Sequence, residues 1–281
     1  MNQEMSLRKA YEKMRGQAWR YVSLMFLFVI GSSLLTSQEL INYATFEHPK
    51  LSLPLLILLL AFIVGRNTLL AALLKQARKQ PYTKLDAVYS LKKTGMYLLS
   101  RLFLFGIEMA LLLAFTLLYQ VLGVWALPLY QIASVMTLSM EAFIIFAIND
   151  GVKNAFSIFR NSLKLWYHHC NEIAGASFAL IAWTLLSMVI QNFMVGFLIQ
   201  GADMSEWEML NMAFRSESLF GYALLYLGLQ IANGIITAFL LTPTYLLYAI
   251  IYESSYRQYY PIPIKFPMDV IEVDVMDQEE S

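Results

Sequence analysis

Charge is scarce in this chain, and so is cysteine. Only 14% of its 281 residues are Asp, Glu, Lys or Arg, against about 25% in soluble domains. One cysteine, Cys170, excludes an intrachain disulfide framework and any multi-cysteine metal site. No P-loop, Gly-x-Ser-x-Gly elbow or His-Glu-x-x-His pair occurs, so the commonest nucleotide, acyl-transfer and zinc-hydrolase chemistries have no signature. His168-His169-Cys170 is a run of metal-ligating types. Its consecutive side chains point in different directions and no third cluster accompanies them, so neither metal nor cofactor is expected.

What is abundant is apolar length. Hydrophobic residues make up 58% of the chain and gather into runs near the 20 residues that a helix needs to cross a bilayer. The expectation is an all-α polytopic membrane protein, with six spans at about 19–35, 51–74, 98–118, 128–148, 173–199 and 219–252. The first apolar run follows a mostly polar segment without a clear small-residue cleavage site and is read as a retained span. Residues 1–260 form one membrane domain; 261–281 are an acidic tail expected to be solvated. The last run is too long for one untilted crossing, so Pro243 is expected to kink it.

Basic residues fix the expected orientation. Eighteen of the 20 Lys and Arg fall in the segment through Arg20, in Arg66–Arg101, in 150–172 and in the tail; only Lys50 and Arg215 lie on the other side. Since the Lys and Arg excess stays in the cytoplasm, both termini are expected there, in a cell (inner) membrane.

The stretch 132–167 joins a span to a surface helix. Its apolar run carries one carboxylate, Glu141, and ends at Asn149-Asp150-Gly151, which has turn chemistry. Beyond the turn, Val152, Ala155, Phe156, Phe159, Leu163 and Trp166 recur at helical spacing opposite Lys153, Ser157, Arg160, Lys164 and His168. That pattern predicts an amphipathic interfacial helix. Similar segments precede the other span pairs, at 7–15 and 85–93. In each, an alanine (Ala10, Ala87, Ala155) stands five residues before a basic residue (Arg15, Lys92, Arg160). A threefold unit of surface helix, crossing out and crossing back is one reading; amphipathic spacing shared by chance is the other. Capping boxes are expected at Thr83/Asp86 and Ser205/Glu208.

Several local motifs carry a resemblance. They are Leu7-Arg-Lys-Ala10 with Arg15-Gly-Gln-Ala-Trp19, Gly65 followed by Arg78-Lys79, and Ser139-Met-Glu-Ala-Phe-Ile-Ile-Phe-Ala-Ile-Asn-Asp150. Asn154-Ala-Phe, Asn161-Ser-Leu-Lys164 and Thr242-Pro243-Thr-Tyr245 with Ile251-Tyr252 complete the set. Across most of 7–252 the chain resembles a family of bacterial six-span membrane proteins, distantly related to the membrane domain of glycerophosphodiester phosphodiesterases. It departs from that family at Leu127-Pro128-Leu129, where an Ile-Pro-Gly opening is common. The resemblance implies the fold and topology, and no established activity.

Intramembrane charges are costly and mark functional candidates. Arg66, Glu108 and Glu141 lie roughly 12, 15 and 10 Å from the expected cytoplasmic ends at about 1.5 Å per residue, so they can meet at one level. Thr137 and Ser134 share the face of Glu141. Three readings are open: an ion cluster holding three helices in register, an Arg66 that snorkels to the interface, or an ion-handling site. Two carboxylates with one arginine leave excess negative charge, which favours one protonated carboxyl. A second polar set comprises Ser177, Thr184, Ser187 and Gln191, facing Gln230, Asn233, Thr237 and Thr244. It serves interhelical hydrogen bonding or, with Gly228 and Gly234, lines a cavity. Gly175 with Ala179, and Ala61 with Gly65, read as small-residue packing contacts.

Basic residues beside the spans are expected to meet anionic lipid headgroups: Arg8, Lys9, Lys13, Arg15, Lys92, Lys93, Lys153, Arg160 and Lys164. No nucleic-acid partner is expected. The pattern as a whole points to a non-enzymatic membrane protein that binds lipid or a membrane-protein partner as an accessory component. The alternatives are a transporter or permease subunit using the carboxylates, and a membrane-embedded lipid enzyme.

Overall fold

Long runs of Leu, Ile, Phe and Val satisfy their backbone in lipid only as helix, and helix is what they form. A computed structural model describes residues 14, 17–35, 49–80, 82–83, 92–123, 126–199 and 220–259. The described residues hold seven α-helices and no strand. These are α1 (Ala18–Leu35), α2 (Ser52–Ala77), α3 (Thr94–Leu122), α4 (Ala126–Asn149), α5 (Ala155–His168), α6 (Cys170–Ile199) and α7 (Phe220–Tyr259). Five of them, α2, α3, α4, α6 and α7, are long and apolar enough to cross a membrane, and α1 is a shorter apolar helix. The chain is therefore an α-helical protein of polytopic membrane type. Helix α3 is longer at both ends than 98–118, because Thr94–Tyr97 and Tyr119–Leu122 continue its hydrogen-bonded turns. The segments 7–13 and 84–91, the capping positions Asp86, Ser205 and Glu208, and the acidic tail lie outside the described residues.

Helices α4 and α7 occupy the centre. Helix α4 packs on α2, α3, α5, α6 and α7; α7 packs on α1, α2, α4, α5 and α6. Helices α2, α4 and α7 thus touch pairwise and make an inner trio, with α1, α3 and α6 outside it. Helix α1 lies against α2 and α7, and α6 against α7 and α4, whereas α3 leans on α4 and α5 and barely meets α2. Among the described residues, the outer layer therefore has no close packing between α2 and α3. Burial follows this plan: 61% of the apolar stretch of α4 is buried, against 6% of that of α3. Ser139–Asn149 is buried on every side, as expected of a helix that is apolar all round. Outer-facing side chains such as Leu113, Val121 and Phe178 are exposed and suited to lipid.

Two glycines set the α1–α2 contact. A Cβ on Gly31 would stand 2.0 Å from the Phe62 ring, and one on Gly65 would stand 2.6 Å from the Phe28 ring. Each helix thus offers a hole to the other's phenylalanine, and the two rings meet edge to face at 5.8 Å. Gly234 of α7 faces Ile30 and Phe26 of α1 more loosely, a Cβ there standing 3.1 Å from Ile30. Gly175 does not make the expected packing contact, since a Cβ there meets nothing within 4 Å; the same open space surrounds Gly228.

Pro243 stands inside α7, where it removes one backbone donor. Thr242 and Thr244 donate to the carbonyls of Ala238 and Leu240, both at 2.8 Å, so hydroxyls shore up this turn. Because overpacking a filled contact costs about 1–3 kcal/mol, Gly31→Ala and Gly65→Ala should each lower the unfolding midpoint in detergent. Gly106→Ala, whose Cβ enters open space, should leave it unchanged.

Candidate functional site

The inner trio is tied together by polar side chains at two levels. At the first, Glu141 of α4 is 2% exposed. A buried carboxylate needs donors, and neighbouring helices supply them. Arg66 of α2 donates from Nη2 to Glu141 Oε2 and, at 2.7 Å, to the Tyr245 hydroxyl of α7. Tyr97 of α3 donates to Glu141 Oε1. Arg101 of α3 brings a second guanidinium to Glu141 Oε1 at 3.3 Å and reaches Glu108 Oε1 at 2.9 Å.

This differs from the sequence expectation in three respects. Glu108 joins through Arg101 and forms no ion pair with Arg66. Thr137 does not take part in the cluster: its hydroxyl donates at 2.7 Å to the Ser134 carbonyl of its own helix. The expected excess negative charge is offset by Arg101, so two carboxylates face two guanidiniums and no protonated carboxyl is required. Arg101 could have been found from its sequence position. It lies seven residues before Glu108, two helical turns away on the same face of α3.

The second level lies at the C-terminal ends of the same three helices, where sequence reading saw only a turn. Helix α2 ends with Lys79 N–H bonded to Gln76 C=O and Gln80 N–H to Lys75 C=O. Helix α4 ends identically, with Gly151 N–H to Ile148 C=O and Val152 N–H to Ala147 C=O. Both are Schellman caps, which place one residue in the left-handed region. That residue is Gly151 at φ 84 in α4 and, against the usual preference, Lys79 at φ 60 in α2.

The residues just before these positions are Arg78 and Asp150. They form a bidentate pair at 2.6 and 2.7 Å, the fork geometry that makes such pairs strong. Arg78 Nε also reaches Glu253 of α7 at 2.6 Å, and Tyr252 of α7 donates to Asp150 Oδ2 at 3.1 Å. Burial pushes the Asp150 carboxyl up, with Arg78 and Tyr252 pulling the other way. For Arg78, burial favours loss of the proton, but Asp150 and Glu253 outweigh it and hold the guanidinium more firmly protonated than usual.

A ladder of fully buried tyrosines on α7 serves both levels. Tyr245 takes Arg66, Tyr248 meets the Ser177 hydroxyl at 2.6 Å, and Tyr252 holds Asp150. Of the second polar set between α6 and α7, Thr184 and Ser187 donate to carbonyls of their own helix, while others meet across the two helices. Gln191 donates to Gln230 at 3.3 Å, and the Trp183 indole donates to Asn233 Oδ1 at 2.9 Å and Thr237 Oγ1 at 3.3 Å. Trp183 was not among the expected partners.

Helix α5 opens on Asn154, whose side chain accepts from the Phe156 and Ser157 amides. Its face toward the bundle is Ala155, Ile158, Ser162 and Leu165, rotated from the expected stripe. Phe156 and Leu163 of the apolar stripe are exposed, as is Tyr167. At about 100° per residue, the helix has three sectors: one against protein, one apolar and exposed, and one basic, with Arg160 and Lys164 exposed; Lys153, just before the helix, is exposed as well. Phe159 stacks on Phe103 of α3, and the Trp166 indole donates to the Met136 carbonyl of α4, fastening α5 to the bundle. His169 joins Glu172 at 2.8 Å and Ser255 of α7 at 2.7 Å. Lys92 is exposed and Lys93 partly buried; Arg8, Lys9, Lys13 and Arg15 lie outside the described residues.

No family model, curated protein or solved structure matches the chain. The site must therefore be judged on its own chemistry. Removing one member of a buried ion pair strands the other, at about 3–5 kcal/mol. Glu141→Ala should accordingly be strongly destabilised in detergent. Glu141→Gln should also lose stability, because its amide nitrogen confronts donors where an oxygen accepted. Lys164→Ala, exposed, should stay within about 0.5 kcal/mol of the parent protein.

Proposed function

We propose that the chain is a six-span protein of the cell membrane, with both termini in the cytoplasm, that binds anionic lipid as an accessory component without catalysis of its own. The observation that carries this reading is the three-sector form of α5. A helix fastened to protein on one face, apolar on a second and basic on a third is matched to the plane where acyl chains meet headgroups. The distribution of Lys and Arg supports the orientation.

The threefold unit and membership of the bacterial six-span family belong to the same proposal. The unit draws support from the arrangement of α2, α4 and α7 inside and α1, α3 and α6 outside. A transport route through the carboxylates draws less, because Glu141 and Glu108 are both engaged by guanidiniums.

Purification in mild detergent, with analysis of co-purifying lipids and proteins, tests the function. Basic residues near an anionic surface contribute about 1 kcal/mol each, roughly fivefold in local lipid preference. The parent protein should retain anionic lipid above its share of the host membrane, and Lys153→Gln/Arg160→Gln/Lys164→Gln should lose most of that enrichment. Equal lipid profiles would contradict the reading, and a stoichiometric protein partner would replace it. Orientation is tested in a Cys170→Ser background: cysteine placed at Ser205 should react with an impermeant reagent in intact cells, and cysteine placed at Ser281 should not.

A further inference from the structure

The basic and apolar sectors of α5 adjoin. Arg160 stands three residues before Leu163, and Lys164 three before Tyr167, a spacing that makes each pair neighbours on the helix surface. Leu163 and Tyr167 are exposed, and among the described residues no carboxylate pairs with Arg160 or Lys164. Unpaired cations beside exposed apolar side chains form a surface complementary to an acidic segment that also carries apolar residues. The chain holds such a segment beyond α7. Residues 269–280 include Asp269, Glu272, Asp274, Asp277, Glu279 and Glu280 and no basic residue, and Ile271, Val273 and Val275 alternate with Glu272 and Asp274. Extended backbone sends alternate side chains to opposite sides, here acids to one and apolar residues to the other. The end of α7 brings this segment within reach. Ser255 of α7 meets His169 at 2.7 Å, immediately past the end of α5, and α7 closes at Tyr259. From His169 back to Arg160 is about 14 Å along the helix at 1.5 Å per residue. Tyr259 to Asp269 can span up to about 33 Å, so the acids reach both cations with chain to spare.

We infer that residues 269–275 dock along the shared edge of these two sectors, in place of the solvated state expected from their composition. Glu272 and Asp274 pair with Arg160 and Lys164, while Ile271, Val273 and Val275 lie toward Leu163 and Tyr167. The acidic segment then occupies the face of α5 that an anionic membrane surface would take, and the two exclude each other. That competition rests on the lipid reading above; the docking itself does not.

The test is the rate of intrachain disulfide formation in the full chain carrying Cys170→Ser, Tyr167→Cys and Val273→Cys. The protein is held in nanodiscs of phosphatidylcholine or of phosphatidylglycerol and oxidised with diamide. Loss of two exposed ion pairs together is worth about fivefold. In phosphatidylcholine, Glu272→Gln/Asp274→Asn should therefore slow the disulfide by about that factor, and so should Arg160→Gln/Lys164→Gln. Phosphatidylglycerol should slow it comparably without any substitution. Equal rates in the parent and both charge variants overturn the docking. Equal rates in the two lipids overturn the competition. The lipid reading fails separately: if the disulfide depends on these charges but the parent protein retains no excess of anionic lipid, docking stands and that reading falls. If anionic lipid is retained and the disulfide ignores the charges, docking alone falls.

Discussion

Glu141 is one carboxylate, buried in the most enclosed helix, and two other helices send it three donors. Its two oxygens gather Arg66 from α2, with Tyr97 and Arg101 from α3, while Arg66 carries the connection on to Tyr245 of α7. A carboxylate in such surroundings is tolerable only when its lone pairs are filled. Any rotation or axial slip of α2 or α3 relative to α4 would empty one of them, and a slip of α7 would break the Arg66–Tyr245 contact. In lipid, where apolar side chains gain little by choosing one apolar neighbour over another, that requirement supplies register.

The second level repeats the arrangement at the ends of the same helices. Two Schellman caps halt α2 and α4 and leave Arg78 and Asp150 side by side, with Tyr252 and Glu253 closing from α7. Along α4 the levels are nine residues apart, about 14 Å at 1.5 Å per residue. Two fastenings at that spacing restrain tilt as well as slip. Buried ion pairs give little net stability over a well-packed apolar contact, because both charges must be desolvated. Their value here lies in selecting one arrangement of three parallel, otherwise similar helices.

The helices were legible in the sequence because a membrane span announces itself by length and composition; most helix limits moved by only a few residues, and α7 runs on seven residues past 252 to Tyr259. Arg66 and Glu141 were legible because charge inside an apolar run is conspicuous. The partners were harder to see. Tyr245 and Tyr248 look like ordinary apolar-run residues, since a tyrosine's hydroxyl leaves no mark on periodicity, and Tyr97 fell just before the expected span. Asp150 was hidden by its context: in Asn-Asp-Gly it has the chemistry of a turn residue, and it is indeed in a turn, but its carboxylate points to a distant helix. For α5 the pattern gave the helix and its basic side. It did not give the packed face, because protein-facing and lipid-facing apolar residues are chemically alike.

A fold clasped at two levels leaves the outer helices free to differ in how closely they follow the inner three, and α3 is the one that stands apart from α2. The account stands or falls on whether the Arg66–Glu141 contact couples its helices. The most direct measurement is a double-mutant cycle on Arg66→Gln and Glu141→Gln, read by reversible unfolding in detergent. The account predicts an interaction energy above about 1 kcal/mol, within the range seen for residues of one network. Additive effects, agreeing within about 0.5 kcal/mol, would contradict it.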